Sequence, residues 1–208
     1  MKIEIIPCLK VNYSYLIHDQ ISNTVAIVDP SEFLPCDKII NKNYQKLDFI
    51  LNTHHHYDHV GGNKELKNKY SSTVLGFEND KNRIPHIDVV LKDNQEFKIG
   101  TLNFTTMFIP GHTKGHVAFY FKKEKVLFTG DTLFSLGCGR IFEGTYEQMF
   151  KSLNKLKNLP GDTKIYRGHE YTYNNLEFCL KFNPNNDFLK KKKEAIELNL
   201  KNRKPTIP

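Results

Sequence analysis

The stretch His54-His55-His56-Tyr57-Asp58-His59 decides how the fold and function of this chain are interpreted. It directly follows a short apolar run that predicts a buried strand. Residues two apart in an extended segment project to the same side, so His54 and His56 can bind one metal ion together. Asp58 and His59 come after the backbone turns and can face a second ion. Imidazole nitrogens and a carboxylate oxygen suit Zn, Fe or Mn, so the stretch predicts a metal centre.

Three further motifs each place a glycine and a ligand-type residue after a predicted strand. They are Gly111-His112, Gly130-Asp131 and Gly168-His169. A glycine lets the backbone approach a metal ion closely, because no side chain stands in the way. Each motif alone is a weak signal. Together with the first stretch, the three motifs supply two sets of three ligands and one bridging residue.

Length and composition set the class of protein. The chain has 208 residues, of which 39% are hydrophobic, so we expect one domain with a modest appendage and a real core. The four cysteines show no paired spacing, which excludes a disulfide framework and a cysteine-based zinc site. No stretch approaches the roughly 18 consecutive apolar residues of a membrane span, and no leader is visible. We therefore expect a cytoplasmic protein without a membrane partner.

The net charge of +7 raises the question of a nucleic-acid partner. A binding stripe should cluster and favour arginine, but only four of the 30 basic residues are arginines. The lysines lie scattered among asparagines, and the one dense run, Lys190–Lys193, is interpreted as a solvated helix face. No nucleic-acid partner is expected, although the positive field can attract an anionic substrate.

The order of strand and helix patterns predicts a layered α+β (α/β) domain that ends near residue 170. Thr145 and Gln148 form a possible capping box at the start of one helix, and the segment after residue 170 predicts two helices broken near Pro184. Strands are predicted at 73–76, 88–91, 95–99, 101–108, 116–121, 125–129 and 163–167, and helices at 62–70 and 145–158. We therefore expect a catalytic domain over 1–169 and a helical extension over 170–208.

These motifs resemble those of the metallo-β-lactamase superfamily and, within it, of the glyoxalase II (hydroxyacylglutathione hydrolase) family. The metal motifs mark the superfamily, whereas the Gly-Cys-Gly-Arg and Gly-His-Glu-Tyr-Thr stretches point to glyoxalase II. The similarity covers essentially the whole chain and is carried by residues 53–63, 111–116, 129–134, 137–145 and 168–172. The resemblance implies a four-layer αββα sandwich followed by a short helical C-terminal domain.

The resemblance also implies a centre of two divalent metal ions, with Zn favoured over Fe or Mn. The first ion would be bound by three histidines, the second by one aspartate and two histidines, and a further aspartate would bridge the ions. The residues that match these positions are His54, His56 and His112 for the first ion, Asp58, His59 and His169 for the second, and Asp131 for the bridge. Asp58 and Asp131 are also the implied catalytic residues, which hold a hydroxide that bridges the two ions.

The substrate implied by the resemblance is a glutathione thioester. S-D-lactoylglutathione and water would give D-lactate and glutathione, and Arg140, Phe142 and Tyr171 would contact the glutathione part. Phe142 lacks the hydroxyl group that some family members have at this position. The family's helical domain usually continues further, so the sequence is expected to be either truncated or reduced in its thiol-binding arm. A monomer is expected.

Several alternatives stay open at this point. A persulfide dioxygenase shares the His-x-His-x-Asp-His pattern but uses a single iron, so a metal count per chain separates the two. A lactamase is disfavoured because its substrate-side motifs differ. A metallohydrolase for a substrate without glutathione, or an RNA-processing member of the superfamily, is a further alternative, although no arginine-rich or aromatic RNA surface is visible.

Four residues near the motifs receive structural interpretations. His55 and His116 lie inside ligand motifs, but we expect their side chains to point away from the ions. Cys138 lies between two glycines, yet two metal ions that activate water make a nucleophilic cysteine unnecessary. Asp29 precedes Pro30, so it either orients a ligand imidazole or caps a turn.

Overall fold

Two packed β-sheets form the centre of the protein. The computed structural model describes residues 1–202 and 204–206, so the end of the predicted extension over 170–208 lies partly outside the described residues. The first sheet contains β1 (Lys2–Cys8), β2 (Asn12–Asp19), β3 (Thr24–Val28), β4 (Phe49–Leu51), β5 (Thr73–Phe77) and β6 (Val89–Leu91), which are neighbours in that order. β1 to β3 pair antiparallel, and β3 to β6 pair parallel.

The second sheet is mostly antiparallel. It contains β7 (Glu96–Ile99), β8 (Leu102–Phe108), β9 (Val117–Phe121), β10 (Val126–Gly130) and β13 (Lys164–Arg167), in the spatial order β13-β10-β9-β8-β7. Only β10 and β13 pair parallel, and their ends therefore lie at the same edge of the sheet. A two-strand hairpin of β11 (Leu133–Phe134) and β12 (Gly137–Cys138) follows β10.

The described residues contain α1 (Phe33–Asn43), α2 (Tyr57–Val60), α3 (Asn63–Tyr70), α4 (Tyr146–Lys157), α5 (Thr172–Phe182) and α6 (Asp187–Lys201). The helices before α5 cover the outer faces of the two sheets. Cys36 and Ile40 of α1 and Leu66 of α3 pack on the first sheet, and Leu156 of α4 packs on the second. The layer order is therefore helix, sheet, sheet, helix, which confirms the predicted αββα sandwich.

Alternation along the strands explains why both sheet faces are buried. In β2, Tyr15 and Ile17 point into the core between the sheets, whereas Leu16 faces the helices. In β9, Phe119 and Phe121 face the same central core, and Ala118 faces α4. Successive side chains of a strand point to opposite faces, so a strand buried on both faces is apolar throughout.

The predicted strands from residue 73 onward and the helices over 62–70 and 145–158 are present, each within one residue of its predicted ends. The capping box is also present: the Gln148 amide donates to Thr145 Oγ1 at 3.1 Å, and the Thr145 amide donates to Gln148 Oε1 at 2.9 Å. Helix α1 was not predicted. Its N-cap residue, Glu32, makes no side-chain cap, and Pro35 lies in its first turn.

The two predicted C-terminal helices are α5 and α6, which pack together through Leu176, Leu189 and Ile196. Asn186 caps α6 by accepting a hydrogen bond from the Leu189 amide at 3.1 Å. Within the described residues, none of the helices is both long and apolar enough to cross a membrane.

Candidate metal centre

The predicted ligand motifs meet at one edge of the sandwich, where the two sheets are joined by backbone hydrogen bonds. The Val117 amide at the start of β9 donates to the Thr53 carbonyl after β4 at 2.9 Å, and the Tyr13 amide of β2 donates to the Gly168 carbonyl after β13 at 2.9 Å. Because these bonds connect strand ends of different sheets, they fix the loops that carry the ligand-type residues.

His54, His56 and His112 form the first set of side chains at this edge. His54 Nε2 and His112 Nε2 each lie 3.1 Å from His56 Nδ1. Ligands about 2.0 to 2.1 Å from a tetrahedral ion are about 3.3 Å apart, so the spacing fits a divalent cation. Burial and the neighbouring imidazoles hold the pKa of His54 well below its ordinary value. A neutral imidazole is the form that binds metal.

Asp58, His59 and His169 form the second set. His59 Nε2 lies 3.3 Å from His169 Nε2, and Asp58 Oδ2 lies 3.4 Å from His169 Nε2 and 3.7 Å from His59 Nε2. His59 and His169 are almost fully buried, whereas Asp58 is partly exposed. Its Oδ2 accepts a hydrogen bond from Asn12 Nδ2 at 2.9 Å, which fixes the carboxylate.

Asp131 lies between the two sets, as expected for a bridge. Its Oδ2 is 3.0 Å from His169 Nε2 and 3.5 Å from His112 Nε2, and its Oδ1 is 3.4 Å from His59 Nε2. Oδ1 is buried and has no hydrogen-bond partner among the described residues. An unpaired buried carboxylate oxygen is costly, so its position fits a cation at this point. Burial alone would raise the pKa of Asp131, but His59 and His169 hold it well below its usual range.

Asp29 orients a ligand-type imidazole, which was one of the two interpretations left open. His59 Nδ1 donates to Asp29 Oδ2 at 3.0 Å, and the Thr53 amide donates to Asp29 Oδ1 at 2.8 Å. The Thr53 hydroxyl donates to Oδ2 at 2.6 Å and lies 3.0 Å from His54 Nδ1. These contacts fix both rings with Nε2 facing the centre, as carboxylate–histidine–metal arrangements require.

His55 and His116 belong to neither set, because their ring nitrogens make hydrogen bonds to Asp80 and to the Asp131 backbone. His55 Nδ1 donates to Asp80 Oδ2 at 3.1 Å, which turns its ring away from His54 and His56. His116 stacks on His54 with 4.6 Å between ring centroids, and its Nε2 accepts a hydrogen bond from the Asp131 amide at 3.0 Å. His116 therefore positions the backbone of Asp131.

A cavity of about 810 Å³ opens over the two sets. Its walls include Arg140, Phe142 and Tyr171, so the structure brings these residues to the centre. Tyr171 stacks on His169 with 4.8 Å between ring centroids, and His112 Nδ1 donates to the Arg140 carbonyl at 2.7 Å. Cys138 also lines the cavity, but burial raises the pKa of its thiol, which disfavours a nucleophilic thiolate.

Comparisons with known proteins agree with this geometry. The family model of the Metallo-beta-lactamase superfamily matches residues 9–169, and that of the Hydroxyacylglutathione hydrolase C-terminus matches residues 170–208. The chain is 53% identical over 208 residues to the hydroxyacylglutathione hydrolase of Pelagibacter ubique, covering 100% of this chain and 87% of the relative. It belongs to the hydroxyacylglutathione hydrolase family.

A second member of the hydroxyacylglutathione hydrolase family, from Methylococcus capsulatus, is 46% identical over 203 residues, which are 98% of this chain and 79% of the relative. Among solved structures, ETHE1 from Myxococcus xanthus superposes with a TM-score of 0.74 at 28% identity, covering 82% of this chain and 76% of that chain. The superfamily match and the buried histidine–aspartate cluster together support divalent metal binding by this family member.

The middle histidine of the first stretch offers a direct test of the ligand geometry in this hydroxyacylglutathione hydrolase family member. We expect His55→Asn to keep the metal content of the wild type, because an asparagine amide can still donate to Asp80. His56→Asn should lose at least one ion per chain, because His56 Nδ1 lies between the other two nitrogens of its set. Metal analysis of both purified variants is the measurement, and equal losses would contradict the assignment.

Proposed function

We propose that this chain is a metal-dependent thioester hydrolase of S-(2-hydroxyacyl)glutathione. With S-D-lactoylglutathione as the substrate, the reaction with water gives D-lactate and glutathione. The observation that carries the proposal is the convergence of two three-residue sets on one buried carboxylate, Asp131, at the floor of a cavity lined by Arg140 and Tyr171. The family membership agrees with it.

The proposed cofactor is a pair of divalent ions, with Zn favoured over Fe or Mn. His54, His56 and His112 would hold the first ion, Asp58, His59 and His169 the second, and Asp131 would contact both. When bound, such ions lower the pKa of a water molecule to near neutrality and polarise a carbonyl group. A set of imidazoles with two carboxylates suits these metals.

The aspartates are proposed to orient the attacking water. Asp58 lines the cavity, and its Oδ2 accepts a hydrogen bond from Asn12, so the fixed carboxylate is proposed to accept a hydrogen bond from the water. The leaving group is a thiolate with a pKa of about 8.5, so its departure requires no protonation by a separate acid.

Arg140, Phe142 and Tyr171 are proposed to contact the glutathione part of the substrate. A guanidinium group matches a carboxylate through its planar fork of donors. The Tyr171 ring is fixed by stacking on His169, and the Phe142 ring lies edge-on to His112 with 5.3 Å between centroids. Phe142 therefore supplies an apolar wall beside the centre rather than a hydrogen bond.

Arg140→Ala should mainly raise KM. A hydrogen bond to a charged group contributes roughly 1.5 to 3 kcal/mol, so KM is expected to rise about ten- to a hundredfold with kcat within a few-fold of wild type. Lys151→Ala, which removes an exposed lysine of α4, serves as the control with unchanged KM. A collapse of kcat at unchanged KM would instead assign Arg140 to the transition state.

The central experiment measures hydrolysis of S-D-lactoylglutathione by the purified chain, with metal analysis of the same batch. The proposal expects thioester hydrolysis, close to two ions per chain, and loss of activity after chelation that returns with added Zn. A single iron with oxygen consumption on glutathione persulfide would favour the persulfide dioxygenase. Thioesterase activity on other acyl thiols but none on the glutathione thioester would favour a different metallohydrolase of the superfamily.

We also propose that residues 1–169 form the catalytic domain, that the helical segment over 170–208 contributes to substrate binding, and that the protein acts as a cytoplasmic monomer without nucleic acid. The four cysteines show no paired spacing in the sequence, which favours a reducing compartment. Cell fractionation tests the compartment, light scattering tests the monomer, and an RNA-binding assay at two salt concentrations tests for nucleic-acid binding.

A further inference from the structure

Three charged side chains outside the metal sets form an ion-pair network beside the first set. Arg83 donates from Nε to Asp80 Oδ1 at 3.1 Å and from Nη1 to Glu143 Oε1 at 2.5 Å. Asp80 is fully buried, whereas the side chains of Arg83 and Glu143 are partly exposed. We call Asp80, Arg83 and Glu143 the Arg83 cluster.

The Arg83 cluster contacts both chain segments that carry the first set. On one side, Asp80 Oδ2 accepts from His55 Nδ1 at 3.1 Å, and His55 lies between two of the three histidines. On the other side, Glu143 Oε2 accepts from the Lys114 amide at 2.8 Å, two residues after His112. A single arginine therefore connects the segment of His54 and His56 to the loop of His112.

The contact with the His112 loop is close enough to determine its position. A methyl group at Gly115 would lie 2.0 Å from Asp80 Oδ1, so the Asp80 carboxylate packs directly on the backbone of this loop. The Glu143 amide in turn donates to the His112 carbonyl at 3.3 Å.

The second set is held by different residues. Asn12 fixes Asp58, and Asp29 fixes His59. Within residues 1–202 and 204–206, no hydrogen bond or ion pair joins the Arg83 cluster to Asp58, His59 or His169. The Arg83 cluster thus contacts only the first set, whereas Asp29 and Asp131 contact residues on both sides.

We propose that the Arg83 cluster positions the first metal set selectively, so that its loss weakens binding of one of the two ions and leaves the other in place. The three residues act through His55 and the His112 loop and are not members of either metal set, so they are positioning residues. This inference rests on the two-metal site of the proposed function. Loss of a partner outside the ligand sets typically costs about 10- to 100-fold in metal affinity.

The experiment uses the full chain with Co²⁺ as the probe, because each Co²⁺-bound histidine gives a shifted imidazole N–H signal. Wild-type protein loaded with two ions is expected to show five such signals, three from the first set and two from the second. Arg83→Gln should lose the three signals of the first set at Co²⁺ concentrations that still saturate the second. The affinity for one ion should fall about 10- to 100-fold in the same titration.

Matched variants separate a selective effect from general damage. Glu143→Gln keeps an acceptor for the Lys114 amide but removes the charge, so it should weaken the same ion by a smaller factor, even if Arg83→Gln folds poorly. Asn12→Ala should weaken the second set instead, because it removes the hydrogen bond to Asp58. Lys125→Ala breaks an exposed ion pair with Asp162 and should change neither affinity.

The outcomes separate this inference from the proposed function. A single Co²⁺ ion in saturated wild-type protein would overturn the two-metal site itself. Suppose that the wild type binds two ions. If Arg83→Gln and Glu143→Gln then weaken the binding of both ions equally, or of neither ion, only the inference is overturned. The inference is established if the variants of the Arg83 cluster weaken Co²⁺ binding by the first set alone, and if Asn12→Ala weakens Co²⁺ binding by the second set alone.

Discussion

Asp131→Ala is expected to release both metal ions and to abolish nearly all thioester hydrolysis. Asp131 Oδ2 lies 3.5 Å from His112 Nε2 of the first set and 3.0 Å from His169 Nε2 of the second. The Asp131 carboxylate is also almost completely buried, so a carboxylate on the protein surface cannot take its place. Bound metal ions stabilise the transition state by several kcal/mol. Their loss is therefore expected to lower kcat by at least about a thousandfold.

The measurement combines metal analysis with steady-state kinetics on Asp131→Ala and on a matched surface variant. Asp162→Ala also removes one aspartate, but this side chain is mostly exposed and pairs only with Lys125 among the described contacts. The control should keep wild-type metal content and turnover. Circular dichroism shows whether the Asp131 variant remains folded, as expected for a change at the rim of an intact sandwich. Retention of both ions or of full activity by Asp131→Ala would refute the bridge.

Local geometry predicts the side chains of the first stretch, whereas the resemblance to a known family assigns the distant ligands to the two sets. His54, His56, Asp58 and His59 lie within six residues, and their spacing alone places them on converging directions. His112, Asp131 and His169 each follow a strand and a glycine, and the structure brings all seven residues together. The capping box of α4 is predictable for the same reason, since both of its bonds join Thr145 to Gln148.

The residues that support these side chains were harder to predict, because their partners are distant in the chain. Asn12 contacts Asp58 across 46 residues, and Asp80 contacts His55 across 25. Short polar residues of this kind are common in turns, and nothing in their own neighbourhood reveals a distant partner. For this reason the sequence does not decide whether Asp29 orients a ligand imidazole or caps a turn. The register between β3 and β4 brings Asp29 to Thr53 and His59.

The second large effect is expected from a single methyl group at Gly168. A Cβ atom at this position would lie 2.3 Å from Asp131 Oδ1 and 2.8 Å from His59 Cε1, so Gly168→Ala must displace groups of the centre. The backbone cannot move away easily, because the Gly168 amide donates to the Gly130 carbonyl at 2.8 Å and the Gly168 carbonyl accepts from Tyr13 at 2.9 Å. The sequence pattern of strand, glycine and ligand has its physical reason in this close approach.

We expect Gly168→Ala to bind metal more weakly and to lose at least about a hundredfold in kcat, since a misplacement of about 1 Å in a catalytic group can cost that much. Gly161→Ala is the matched control, because a Cβ atom there meets no other atom within 4 Å. Metal titration, kinetics and thermal unfolding of both variants provide the comparison. If Gly168→Ala kept wild-type metal affinity and turnover, Asp131 and His59 would have to tolerate displacement, and the tight geometry assigned to the two-metal centre would be wrong. If only its thermal stability fell while affinity and kcat were unchanged, Gly168 would support the fold alone.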